Sequence, residues 1–201
     1  YIFSFGIREY HSENFKFHFG LYDFLASFFS KNFTKDYLIQ SHHIFNLIFS
    51  ILSVFGVYQI TKKLFNKSIG KIAFILCFFN PIYFGHFSMN PKDTIIAFCY
   101  IWIFNISLKY IYNNKNKNYL VYLTLLFSLG LGIRLTFLFS LFPIFAIILC
   151  EFYLKNKIFS PHFFKFIKDL FLIIIFSFTI TFIFWPDSHS DLLRMPFILL
   201  N

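Results

Sequence analysis

The sequence predicts an all-α protein, a polytopic bundle of transmembrane helices with about six spans. Composition is the first reason: of 201 residues, 58% are hydrophobic and 13% charged, against about 25% charged in soluble domains, and the mean hydropathy is +0.65. The second is the recurrence of apolar segments near the length a bilayer demands. The third is charge placement, because basic residues gather in a few short connections between those segments.

Taken in order, residues 1–43 are expected to form an extracytoplasmic loop with short helices, and residues 44–201 the transmembrane domain. The chain opens on Tyr1 with no basic start and apolar middle of a signal peptide, so it is expected to be a fragment or processed product lacking its true N-terminus. Apolar segments follow at 44–61, 72–87, 94–112, 119–133, 135–154 and 170–185. The stretch 119–154 is long for one crossing and short for two. Gly130, Gly132 and Arg134 lie near its middle, where a tight turn needs a permissive backbone and a charge prefers water.

Charge bias chooses between those counts. Lys62, Lys63, Lys67 and Lys71 sit in one connection, Lys109, Lys115 and Lys117 in a second, and Lys155, Lys157, Lys165 and Lys168 in a third, eleven of the eighteen Lys and Arg. If 119–154 crosses twice, all three fall on one side, which the positive-inside rule assigns to the cytoplasm. That topology sends Glu9, Glu13, Asp23, Asp36, Asp93, Asp187 and Asp191 outside, with every histidine except His162. Only Glu151 and Asp169 remain among the acids inside.

Composition also excludes several classes. The net charge of +9 is accounted for by topology-setting lysines that meet anionic headgroups, and no nucleic-acid module or Gly-rich phosphate loop is present. Cys77, Cys99 and Cys150 lie in apolar runs without the paired spacing of a disulfide framework or zinc site. The 36 Phe accompany abundant Ile, Lys and Asn, the bias of an AT-rich coding sequence, and do not argue for an aromatic binding surface.

Chemistry concentrates in Phe84-Gly85-His86-Phe87-Ser88-Met89-Asn90-Pro91-Lys92-Asp93, which sets His, Lys and Asp between two apolar runs. An ionised side chain at membrane depth costs at least about 2.5 kcal/mol and usually faces a water-filled cavity or a polar ligand. The same residues have a structural reading: Asn90 as an N-cap, Pro91 as first helical residue and Asp93 as a first-turn acid. Arg134 likewise reads as a snorkelling turn residue, and Trp185-Pro186 as an interfacial anchor and span terminator.

A set of features occurs in fixed order: Tyr37-Leu38, His42-His43-Ile44-Phe45-Asn46, Lys62-Lys63-Leu64-Phe65, Asn80-Pro81, Gly85-His86, Asn90-Pro91-Lys92-Asp93, Gly132-Ile133-Arg134 and Trp185-Pro186. Together they resemble the membrane glycosyltransferases of the GT-C class, in particular bacterial relatives of the protein O-mannosyltransferases and the aminoarabinose transferases. The resemblance runs from about His18 to about Phe197. It implies a multi-pass protein of the bacterial inner or plasma membrane, with its active site on the extracytoplasmic side. It also implies a polyprenyl-phosphate-linked sugar as donor, a protein or a lipid or glycan as acceptor, membrane lipids as surroundings and no nucleic acid. Where the family carries an early acidic pair, this chain has the separated Glu9 and Glu13, and His42-His43 stands where the family has Arg-His.

The reaction sets its own demands. A sugar leaving a lipid phosphate needs fixed positive charge near the departing anion and a carboxylate near the attacking hydroxyl. Lys92, Arg134, His86 and His43, with Asn90, are the candidates for binding substrate, and Asp93 and Glu13 for catalysis. The same two carboxylates are the candidates for holding a divalent cation through oxygen; no other cofactor is expected and the metal requirement is open. A non-catalytic transporter or a degenerate transferase fragment is the alternative, since interrupted helices also occur in transporters.

Overall fold

A computed structural model describes residues 20–31, 33, 37–112, 118–154 and 160–184. Among them the secondary structure is helical: α1 Gly20–Ser30, α2 Leu38–Leu64, α3 Lys67–Phe78, α4 Pro81–His86, α5 Pro91–Tyr112, α6 Asn118–Leu131, α7 Phe137–Ser140, α8 Phe142–Leu154 and α9 Pro161–Ile183. Helix starts follow from local chemistry. Asn66 Oδ1 accepts from Ile69 N at 2.9 Å, Asn80 Oδ1 from Tyr83 N at 3.0 Å and Ser160 Oγ from Phe163 N at 3.3 Å. Each satisfies an otherwise orphaned first-turn amide, and Pro81 and Pro161 stand in the first turn, where their missing N–H costs nothing.

The same prolines break helices. Pro81 stops the apolar run 72–87 from forming one rod: α3 ends at Phe78, Asn80 is extended (φ −63°, ψ 118°), and α4 starts afresh at Pro81. The run 119–154 also divides, at residues 132–136, between α6 and α7. The reason differs from the expected one. A Cβ on Gly130 would lie 2.3 Å from the Phe137 ring, so this glycine is needed for the close approach of the returning chain rather than for an unusual backbone angle.

Three stretches are long and apolar enough to cross a membrane, Ile39–Leu64, Phe137–Leu154 and Phe163–Ile183, and Asn118–Leu131 is a shorter apolar helix. The architecture is thus a membrane helical bundle, while the expected spans at 72–87 and 119–133 correspond to helices of 12 residues (α3) and 14 residues (α6). At 1.5 Å per residue these run roughly 20 Å, short of a hydrocarbon core of about 30 Å.

Long-range contacts give the helix directions. Thr94 Oγ1 donates to Asn46 Oδ1 at 2.6 Å and Trp102 Nε1 to the Leu52 carbonyl at 3.1 Å, so α2 and α5 run parallel. Ser177 Oγ to Thr124 O at 3.1 Å and Thr181 Oγ1 to Ser128 O at 3.3 Å make α6 and α9 parallel as well. Gly70 against Tyr58 and Lys62 turns α3 back along α2, and the Tyr110–Tyr119 and Phe152–Phe163 ring pairs close the α5–α6 and α8–α9 connections. The bundle therefore has two ends. One carries Lys62, Lys63, Lys67, Lys109, Lys165 and Lys168, and the other the starts of α2 and α5 and the 132–136 turn.

Helix α2 shows how sequence becomes packing. Ser41, Asn46, Ser50 and Ser53 are buried, while Ile44, Ile48, Ile51 and Phe55 are exposed. A polar stripe turned inward and an apolar face turned outward is the arrangement expected when the surroundings are lipid. The core beside it is apolar, with Ile95, Cys99, Ile103, Phe127, Phe137, Ile144 and Ile148 at 0–1% exposure.

Candidate active site at one end of the bundle

The turn between α4 and α5 is built from its ends inward. Phe87 is 3% exposed, and its carbonyl accepts from Asn46 Nδ2 at 3.0 Å and from Ser50 Oγ at 2.8 Å. At the far end, Thr94 is buried and its single hydroxyl hydrogen lies between Asn46 Oδ1 and the Asn90 carbonyl, both at 2.6 Å. Between them, His43 Nδ1 meets the Ser88 carbonyl at 2.8 Å. A carbonyl can only accept, so Nδ1 carries the hydrogen and Nε2 is left to bind a ligand.

Asn90 and Asp93 form a reciprocal cap. Asn90 Oδ1 accepts from the Asp93 amide at 3.3 Å as an N-cap, and Asn90 Nδ2 donates to Asp93 Oδ2 at 2.7 Å; the return bond runs side chain to side chain, while the Asn90 backbone N–H goes to the His86 carbonyl at 3.2 Å. The other oxygen, Asp93 Oδ1, lies 3.4 Å from Arg134 Nη2, with the two side chains 57% and 50% exposed. That pair ties the start of α5 to the 132–136 turn, and at this exposure it contributes about 0–1 kcal/mol.

Of the residues expected at the site, the structure joins Asn90, Asp93 and Arg134 directly, and His43 through the Ser88 carbonyl. His86 and Lys92 lie on the same segment with exposed side chains. Glu13 lies outside the described residues, as do Trp185, Pro186, Asp187 and His189. Among the described residues no group of three His, Cys, Asp or Glu gathers to hold a metal.

Asn46, Ser50 and Thr94 were missed as site-building residues. A signal was present: Asn46 and Ser50 are one helical turn apart inside an apolar span, and polar groups spaced that way share a face and must find partners.

The arrangement can receive an anion. Arg134 and Lys92 offer cationic donors, His43 Nε2 a ring nitrogen, and Asp93 a carboxylate with half its surface open. Residues 21–185 match the family described as dolichyl-phosphate-mannose-protein mannosyltransferase. No curated protein and no solved structure matches the chain.

Proposed function

The chain belongs to the dolichyl-phosphate-mannose-protein mannosyltransferase family, a membrane glycosyltransferase family of the GT-C type, and on that premise we propose that it moves a sugar from a polyprenyl-phosphate carrier to a hydroxyl of a protein, lipid or glycan acceptor. The observation that carries the reading is the meeting of Asp93 and Arg134 beside Lys92 at the end of the bundle opposite the lysine-rich connections. By the positive-inside rule, that end faces outward. No nucleotide donor is expected there, so the sugar arrives on a lipid, and membrane lipids surround the protein.

Lys92 and Arg134 bind the phosphate of the donor and stabilise the charge that grows on it as the glycosidic bond breaks. His43, with Nδ1–H on Ser88 O, reaches the same anion as a donor in its imidazolium form, through Nε2–H, and His86 and Asn90 complete the polar rim. Asp93 takes the proton from the acceptor hydroxyl, with Glu13 as the second carboxylate for that role. The same oxygens would hold a divalent cation if the donor phosphate brings one.

The direct test is transfer itself. The full-length protein in vesicles should move label from a polyprenyl-phosphate sugar to an acceptor fraction, and failure across sugars and acceptors overturns the reading. The reciprocal cap gives Asp93 a second, structural role. Asp93→Asn separates the two, because Asn preserves the shape and the oxygen that Asn90 needs but removes the base.

A further inference from the structure

We propose that Asn46 is a positioning residue, its one amide group clamping both ends of the segment 87–94, the turn after α4 with the first turn of α5, so that α2 dictates where Lys92 and Asp93 stand. The amide donates through Nδ2 to the Phe87 carbonyl at 3.0 Å and accepts through Oδ1 from the Thr94 hydroxyl at 2.6 Å. Those two partners bracket the segment that holds Ser88, Asn90, Lys92 and Asp93. Asn46 and Thr94 are each 1% exposed, so neither bond has water to replace it, and a buried, hydrogen-bonded polar pair favours one geometry.

The task selects the residue type. Donor and acceptor must act from one short side chain: Asp lacks the donor, Ser lacks the reach to both, and Leu has neither. Ser50, one turn along α2, adds a second bond to the Phe87 carbonyl at 2.8 Å, while His43, one turn before, takes Ser88 O at 2.8 Å. Three residues of one helix therefore grip the incoming side of the turn, and Asn46 alone among them also reaches its outgoing side. The other bonds of the segment are local ones: Asn90 N reaches the His86 carbonyl at 3.2 Å, Thr94 N and Oγ1 the Asn90 carbonyl at 3.3 and 2.6 Å, and Asn90 and Asp93 bond each other; none of them ties the segment to α2. Loss of the amide should free the turn while leaving the helix packing of Phe49 against Phe98 and Trp102 against Leu52 in place.

The catalytic consequence rests on the transferase reading; the clamp does not. The experiment uses the full-length protein with its native cysteines replaced and a nitroxide at Met89→Cys, a position 70% exposed in the turn, or at Val121→Cys, 58% exposed on α6 as control. Asn46→Leu combined with Thr94→Val removes donor and acceptor together, which leaves no orphaned partner between them and keeps the protein folded. The expected result is a more mobile spectrum at residue 89, an unchanged one at 121, a thermal midpoint near the parent's, and a kcat lowered about 10- to 100-fold. Thr94→Val alone should shift both readouts the same way by less, and it serves if the double variant is poorly folded. An unchanged spectrum at residue 89 in a folded variant overturns the clamp, whatever the protein transfers. A mobilised turn with unchanged kcat overturns the catalytic consequence, and a mobilised turn in a parent that transfers nothing upholds the clamp and sinks the transferase reading.

Discussion

At one end of the bundle Asp93 meets Arg134 at 3.4 Å with about half of each side chain open; at the other, Asp169 accepts from Tyr110 Oη at 2.5 Å and is 8% exposed. Both carboxylates join parts of the chain distant in sequence. They differ in what remains available. Asp169 is buried and lines a small, mainly apolar cavity with Leu123, Phe127, Phe166 and Ile173, surroundings in which a carboxylate is costly unless hydrogen-bonded, so its bond to Tyr110 serves the fold. Asp93 keeps an open side toward which a ligand can come. The comparison teaches that an acid's sequence setting, in each case beside apolar helix, says less about its role than the exposure its partner leaves.

The all-or-none test of that contrast is sidedness. In cells, with native cysteines replaced, Met89→Cys should react with an impermeant thiol reagent, whereas Lys67→Cys and Lys165→Cys, exposed at the other end, should be fully protected until the membrane is opened. Labelling of Lys165→Cys together with Met89→Cys would remove the two-ended arrangement on which the outward assignment rests.

Next in size is Asp93→Asn in the full-length protein. Removing a positioned acid-base group typically costs about 10²- to 10⁴-fold in rate, while the loss of its exposed ion pair costs about 0–1 kcal/mol in stability. Transfer should fall at least about 100-fold with normal insertion. Near-parental transfer would make Asp93 a capping residue like any other and turn the search for the base to Glu13. At the opposite end the pattern should invert. Tyr110→Phe leaves a buried carboxylate without its donor, so stability should drop by about 1–3 kcal/mol, read by thermal unfolding in detergent, while transfer per folded molecule stays put.

Smaller still is the effect of single cations. Lys92→Gln and Arg134→Gln should each weaken binding of a polyprenyl-phosphate sugar about 10-fold, the low end for a charge-assisted bond at a half-open site. Lys165→Gln, equally cationic but at the other end, should leave binding unchanged. Parental affinity in both of the first two variants would dismiss the anion site.

Much of this could be read along the chain because the physics is local. Asn or Ser followed by Pro marks the starts of α4, α5 and α9, and the clustered lysines mark one end of the bundle. The break inside 119–154 was visible through Gly130, Gly132 and Arg134, although what Gly130 provides there is room for the Phe137 ring rather than an unusual backbone angle. The long-range polar pairs, at the site and at the opposite end, were not legible. Asn46 with Phe87 and with Thr94, Asp93 with Arg134, and Tyr110 with Asp169 are separated by about forty to sixty residues. No periodicity or propensity encodes which buried polar group meets which, since that follows from helix packing, and parallel packing of α2 with α5 is not written in either helix alone.

The smallest predicted effect makes the sharpest comparison, because one device occurs at both ends. Asn90 precedes Pro91 and accepts from the Asp93 amide at 3.3 Å; Ser160 precedes Pro161 and accepts from the Phe163 amide at 3.3 Å. As caps they are equivalent, and replacing either by Ala should cost about 1 kcal/mol. Only Asn90 also donates, through Nδ2, to the Asp93 carboxylate at 2.7 Å. Asn90→Ala and Ser160→Ala should therefore lower the unfolding midpoint by similar amounts, yet Asn90→Ala should in addition slow transfer, since the Asp93 carboxylate then swings between Arg134 and open surroundings. Equal transfer by the two variants would mean that the bond from Asn90 orients nothing the reaction uses, and would leave Arg134 as the one partner that aims Asp93.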